Sequence, residues 1–150
     1  MSDRPGNEQP EAVLLDTCAV IWLANGEPLV AEAVAAIVHA GLHDGVFVSP
    51  ISAWEIGMLS KARRGHAGVV RFMPDPRTWF ARFMAGPGIR DAPFNPDIAI
   101  ASSWLPGEVH GDPADRLIIA TARHLSLPIV TRDRKIIAYA EAGEVAAILC

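Results

Sequence analysis

Four acids stand where a parallel α/β sheet would present them to a ligand. Asp16 ends the apolar run AVLL (12–15) in LLDT, and Glu55 lies six residues into the helix that follows VFV (46–48), in SPISAWEI. Asp115 opens a long helical stretch in DPADRLIIATARH together with Asp112, and Asp133 ends PIVT (128–131) in VTRD. In open parallel sheets ligands bind outside the carboxyl ends of the strands, so these four distant segments meet at one edge. Like charges a few ångströms apart cannot all ionise without a cation. A carboxylate set without His or Cys suits a hard divalent ion, Mg²⁺ or Mn²⁺, which keeps several waters and takes a phosphate oxygen. Such an ion polarises a phosphoryl group and lowers the pKa of a bound water, so phosphodiester hydrolysis is the expected chemistry.

Each acid also has a structural duty open to it. Asp16 and Asp133 can cap the helices that follow them. Ser52 to Glu55 fits the S-x-x-E capping box, but Ser49-Pro50 is the better helix start and leaves Glu55 inside the helix with no capping duty. With Pro113 at the first helical position, Asp112 is the N-cap and Asp115 sits at N3, where the helix dipole favours a negative charge. Asp112 therefore reads as a cap, with a ligand role left open.

The elements that must position these acids follow from the apolar pattern. The chain has 150 residues and 51% hydrophobic content, which predicts one domain with a sizeable core. Residues 1–11 read as a flexible tail and 12–150 as the domain. Strands are predicted at AVLL, VFV, PIVT and VAAIL (145–149); helices at CAVIWLA, Pro28 to Gly41, Pro50 to about Arg64, DPRTWFARFMAG (75–86), IAIASSWL (98–105) and 112–127, with a short one before the last strand. The turn-rich GPGIRDAPFNPD (86–97) adds one short extended piece. The fold class is α/β: a central parallel sheet of four to five strands flanked by helices.

LLDTCAVIWLA, VSPISAWEIG, DPADRLIIATARH and IVTRDRKI, in this order, resemble the PIN-domain family and closely its VapC-type toxin branch, over residues 12–149. The resemblance places the family's acids on Asp16, Glu55, Asp115 and Asp133, with Asp16, Asp115 and Asp133 as the metal ligands. Thr17 and Thr131 match its supporting hydroxyls, and Ser52, Asp112 and Arg116 are counted with them, since DP-x-DR is usual in this branch. It implies a Mg²⁺- or Mn²⁺-dependent endoribonuclease toxin whose substrate is RNA, silenced by a small antitoxin protein and paired as a homodimer. The extended N-terminal tail is the main departure from the pattern.

Net charge is −4, which argues against holding nucleic acid by bulk positive charge. The distribution says more: residues 61–90 carry seven cations against Asp75 alone, leaving six basic and sixteen acidic groups elsewhere. Lys61, Arg63 and Arg64 are expected to end the Glu55 helix, about 10 Å beyond that acid, either to anchor flanking RNA phosphates or merely to complement the helix dipole. Trp22, Trp54, Trp79 and Trp104 read as core or interface residues. His39, His43, His66, His110 and His124 read as surface or packing residues without mutual metal spacing. Cys18 and Cys150 match no CxxC pattern and are expected to be reduced. No apolar run reaches the ~18 residues of a spanning helix, and the start is unlike a secretion signal, so no membrane and a cytoplasmic location are expected. A serine hydrolase and a nucleotide-binding loop find no support. Two competing readings are a catalytically weak PIN-fold module that binds RNA or protein, and a phosphatase of another α/β family.

Overall fold

The computed structural model describes residues 8–61, 70–107, 109 and 111–150. The first strand, β1 (Ala12–Leu15), is the apolar run itself, and Val13, Leu14 and Leu15 have no exposed surface. A strand covered on both faces must lie inside a sheet. β1 is its centre: β2 (Gly45–Val48) and β4 (Ile129–Thr131) flank it, β3 (Ile89–Asp91) and β5 (Ala147–Leu149) form the edges, and all pairs are parallel in the order β3-β2-β1-β4-β5. Alternate side chains of β1 feed two cores. Val13 and Leu15 pack with Val20, Ile37, Val48 and Ile56, and Leu14 with Ile118, Ile119, Ile129 and Ile136.

Among the described residues seven helices cover the faces: α1 (Thr17–Ala24), α2 (Ala31–Leu42), α3 (Pro50–Leu59), α4 (Pro76–Met84), α5 (Pro96–Ser103), α6 (Pro113–Leu125) and α7 (Arg134–Glu141). Four of them begin with proline directly after a capping side chain: Ser49, Asp75, Asn95 and Asp112 each accept a hydrogen bond from a backbone N–H one turn in. Proline loses nothing at that position, where its missing N–H would have no partner. The strand order reverses between β1 and β4. That is the topological switch point, where parallel sheets leave a crevice for ligand.

The short extended piece expected in residues 86–97 is β3, held by the parallel ladder from Val46↔Ile89 to Val48↔Asp91. Two details differ from the sequence reading. α2 starts at Ala31 rather than Pro28, and the Pro28 carbonyl instead accepts from Arg132 Nη2. α3 stops at Leu59, not near Arg64: Ser60 closes it, with its N–H on the Ile56 carbonyl and its hydroxyl on Gly57 O at 2.7 Å. Lys61 therefore lies beyond the helix and exposed. Arg63, Arg64, His66, His110 and most of the expected tail lie outside the described residues. Glu11, at the end of that tail, is held, since its carbonyl accepts from Asp44 N at 2.9 Å.

Candidate metal centre and active site

At the carboxyl ends of β1 and β4, a cleft of about 260 Å³ is lined by Asp16, Glu55, Asp115 and Asp133, with Thr17, Cys18, Trp22 and Arg132 beside them. Asp16 follows β1 directly and Asp133 comes two residues after β4, its neighbour in the sheet, so the sheet alone brings them together. Glu55 comes from the second turn of α3 and Asp115 from the first turn of α6, two helices in mutual contact. A larger hollow of about 480 Å³ opens against α7, lined by Gly107, Lys135, Tyr139 and Glu144 among others. Among the described residues its lining holds one cation and one acid, Lys135 and Glu144, whereas four acids converge on the smaller cleft.

Capping and cleft duties coexist in the same side chains. Asp16 caps α1 through Oδ1, which accepts from Ala19 N at 2.8 Å, while Oδ2 accepts from the Thr131 hydroxyl at 2.5 Å. Asp133 caps α7 through Oδ1 alone, from Lys135 N and Ile136 N. Thr131 joins the two acids, because its oxygen also accepts Asp133 N–H at 3.0 Å. Glu55 has no capping duty: Ser49 caps α3, and Glu55 Oε1 accepts from the Thr17 hydroxyl at 2.6 Å. The Thr17 proton is thereby committed, so the 2.9 Å contact between Thr17 and Ser52 is donated by Ser52. A relay of hydroxyls, Ser52 to Thr17 to Glu55, orients that carboxylate. Asp112 caps α6 by accepting from Asp115 N at 3.0 Å, and lies outside the cleft in a neighbouring groove with Trp54. Arg116 faces away, its Nε donating to Ser102 O at 3.0 Å at the end of α5.

The electrostatics record the crowding. Burial pushes the Asp16 carboxyl up, partly offset by the Thr131 and Ala19 hydrogen bonds, and Asp133 raises it further. Burial also raises Glu55, against the Thr17 bond and with Asp112 and Asp16 adding to the rise. Asp115 is pushed up to about 7, by burial first and then by Asp112, Asp133, Glu55 and Asp16. The Cys18 thiol, at the cleft wall, goes to about 11 from burial and the same four cleft acids. The cleft's own cation does little to offset this: Arg132 stacks 3.9 Å from the centre of the Trp22 ring and donates Nε to the Cys150 carbonyl at 2.9 Å.

This donor set fits a hard divalent cation: oxygen ligands only, mutually repelling, with supporting hydroxyls. Three-ligand convergence within 4.8 Å is met, among the described residues, by Glu11, His39 and His43 and not by the four acids. Thr131→Val tests the support. It removes a buried donor to Asp16 and an acceptor for Asp133 N–H, so chemical denaturation is expected to show a loss of about 1–3 kcal/mol. Mn²⁺ titration is expected to show about 10–100-fold weaker binding.

Arg132, Trp22 and Cys18 are cleft residues that the sequence reading did not place at the site: Trp22 was read as core or interface and Cys18 as an ordinary thiol. Arg132 abuts Asp133, and Trp22 lies on the helix that Asp16 caps, so adjacency to the acids was the available signal. Two tryptophans are unlike core residues: Trp54 is 57% and Trp104 82% exposed, which leaves interface packing or base stacking for them.

A five-stranded parallel α/β domain here gathers a carboxylate cleft at its switch point, a donor set that suits a hard cation. The PIN-domain family model matches residues 13–142. Ribonuclease VapC22 of Mycobacterium tuberculosis is 33% identical over 125 residues, covering 83% of this chain and 88% of the relative. The chain belongs to the PIN-domain family, in its VapC-type branch. Solved structures agree in fold. That of VapBC2 from Rickettsia felis, bound to a DNA fragment from its promoter, aligns with a TM-score of 0.64 at 14% identity, over 92% of this chain and 98% of the other. VapBC-5 from Mycobacterium tuberculosis, a toxin-antitoxin system, aligns at 0.53 and 21% identity, over 94% of this chain and 100% of the other.

Proposed function

We propose that the protein is a Mg²⁺- or Mn²⁺-dependent endoribonuclease toxin of the cytoplasm, neutralised by a small antitoxin protein. Among the described residues no helix is long and apolar enough to cross a membrane. The observation that carries the reading is the convergence of Asp16, Glu55, Asp115 and Asp133 on one cleft at the sheet's switch point. Asp16, Asp115 and Asp133 are the proposed metal ligands. A bound divalent ion there would lower the pKa of a water and polarise the scissile phosphoryl group.

The chain's own part is to hold and orient. Thr131 fixes Asp16 and Asp133 relative to each other, and the Ser52–Thr17 relay points Glu55. Glu55, raised above the ordinary carboxylate range, is suited to take the proton of the attacking water at Oε2, the oxygen that Thr17 does not hold. Asp112 acts as the cap that sets the start of α6, and Arg116 ties α6 to α5. Lys61, Arg63 and Arg64 remain the proposed anchors for flanking RNA phosphates.

An antitoxin segment is proposed to cover the acids with an arginine, whose planar fork pairs carboxylates in two parallel bonds. Exposed Val34, Val38 and Leu42, four apart along α2, and Ile100 on α5 with Trp104 at its C-cap leave apolar surface for that partner and for a second copy of the chain. Purified protein incubated with RNA is expected to cut it with Mn²⁺ or Mg²⁺ and to stop on chelation. Binding without cleavage in either metal would favour a non-catalytic RNA-binding module instead.

A further inference from the structure

The other end of β1 carries a second convergence that owes nothing to the acid cleft. Glu11 precedes β1 and Asp16 follows it, so five residue steps at about 3.3 Å per residue put the two roughly 16 Å apart. His39 and His43 lie four apart at the C-terminal end of α2, the spacing that stacks side chains on one helix face. Their imidazoles are nearly parallel, with centroids 4.0 Å apart and an interplanar angle of 18°. Both Nε2 atoms face one carboxylate: His39 Nε2 is 3.2 Å from Glu11 Oε1, and His43 Nε2 is 3.9 Å from Glu11 Oε2. The absence of mutual metal spacing expected for the histidines is thus corrected for this pair. The spacing of four between the two histidines was present in the sequence but not read as a metal pattern, and only the fold brings Glu11 to them.

We propose that Glu11, His39 and His43 form a binding site for a borderline divalent ion of the Zn²⁺ type, distinct from the Mg²⁺/Mn²⁺ cleft. Two imidazoles and one carboxylate are the donor set that zinc takes when it keeps an open fourth position. Ligand atoms at about 2.0–2.1 Å in a tetrahedron stand about 3.3 Å from one another, and all three here lie within 4.8 Å. Small side-chain rotations close that gap. In neutral His43, Nδ1–H donates to the His39 carbonyl at 2.7 Å, which leaves Nε2 as the lone-pair nitrogen, whereas His39 Nε2–H donates to Glu11 Oε1 at 3.2 Å and must release its proton when the ion binds. Glu11 is anchored through its own carbonyl by Asp44 N–H. The ion would clip the entry of β1 to the end of α2, and the open position would take a water or an outside ligand.

The test is a Co²⁺ titration of protein carrying no affinity tag, followed by Zn²⁺ displacement. Cobalt in a tetrahedral imidazole site gives an intense visible band that an octahedral carboxylate site does not. Wild type is expected to show one equivalent of that band, displaced by Zn²⁺. The double variant His39→Ala with His43→Ala loses it, and Glu11→Gln weakens binding at least about tenfold. All three side chains lie at the surface or half-buried, and metal-free thermal melts of the variants are expected to match wild type. No band in wild type, or an undiminished band in the double variant, overturns the proposal. Because the acid cleft is untouched, either result is independent of the ribonuclease reading.

Discussion

Asp16→Asn is expected to abolish RNA cleavage, by about 10²–10⁴-fold, while the fold survives. A ligand carboxylate helps to hold a cation worth several kcal/mol to a phosphoryl transition state, which sets that range. Asparagine keeps an oxygen for the cap on Ala19 N–H, so α1 still starts in the same place. It also removes a buried negative charge that faces Asp133. In return Thr131 must turn its hydroxyl from donating to Oδ2 to accepting from the new amide. These effects oppose each other, and thermal denaturation of the metal-free variant is expected within about 1 kcal/mol of wild type. A folded, fully active variant would remove Asp16 from the metal set.

Asp115→Asn and Asp112→Asn are expected to part company. Asp112→Asn keeps the α6 cap and should retain cleavage within about tenfold, since asparagine caps as well as aspartate. Asp115→Asn should be as inactive as Asp16→Asn and should change the pH dependence of stability. The Asp115 carboxyl titrates near 7 in the folded protein against an ordinary value of 3.8. Between those values the folded state holds the proton and the unfolded state has lost it, so stability falls as pH rises from about 4 to about 7 and then levels. Allowing for the group's partial exposure, the fall amounts to about 1–2 kcal/mol. Asp16 and Glu55 are shifted the same way, so Asp115→Asn reduces that slope without removing it. Metal binding, which needs the ionised carboxylates, is expected to tighten as pH rises through 7 and to release protons. Denaturant melts across pH, with and without Mn²⁺, read both effects. The opposite ranking, with Asp112→Asn inactive and Asp115→Asn active, would exchange cap and ligand.

Much of this arrangement was legible because strong local signals agreed with the topology. AVLL and PIVT are apolar runs too short for helices and end in acids. Pro50, Pro76 and Pro113, each preceded by a capping residue, marked helix starts that the structure keeps. The rest is nonlocal or marginal. IRD in β3 was legible only as one short extended piece, because it has one apolar residue and its pairing with β2 is a long-range contact that no local pattern encodes. α3 ends at Leu59 because Ser60 bonds back to Gly57, although the following cations would have suited another helical turn. The choice between cap and ligand posed for Asp16 and Asp133 was no choice, since one carboxylate oxygen caps while the side chain still lines the cleft. Arg132 over Trp22, and Glu11 beside two histidines, join residues 110 and 28 or more positions apart, which only the sheet brings together.

Cleavage of a defined RNA by the purified protein in ¹⁸O-enriched water, with Mn²⁺ and then with chelator, tests the central claim most directly. Attack by water at the phosphate held among Asp16, Glu55, Asp115 and Asp133 predicts one ¹⁸O in the terminal phosphate of the new product end, formed only with metal. A 2′,3′-cyclic phosphate without the label, or cleavage that continues under chelation, would contradict it.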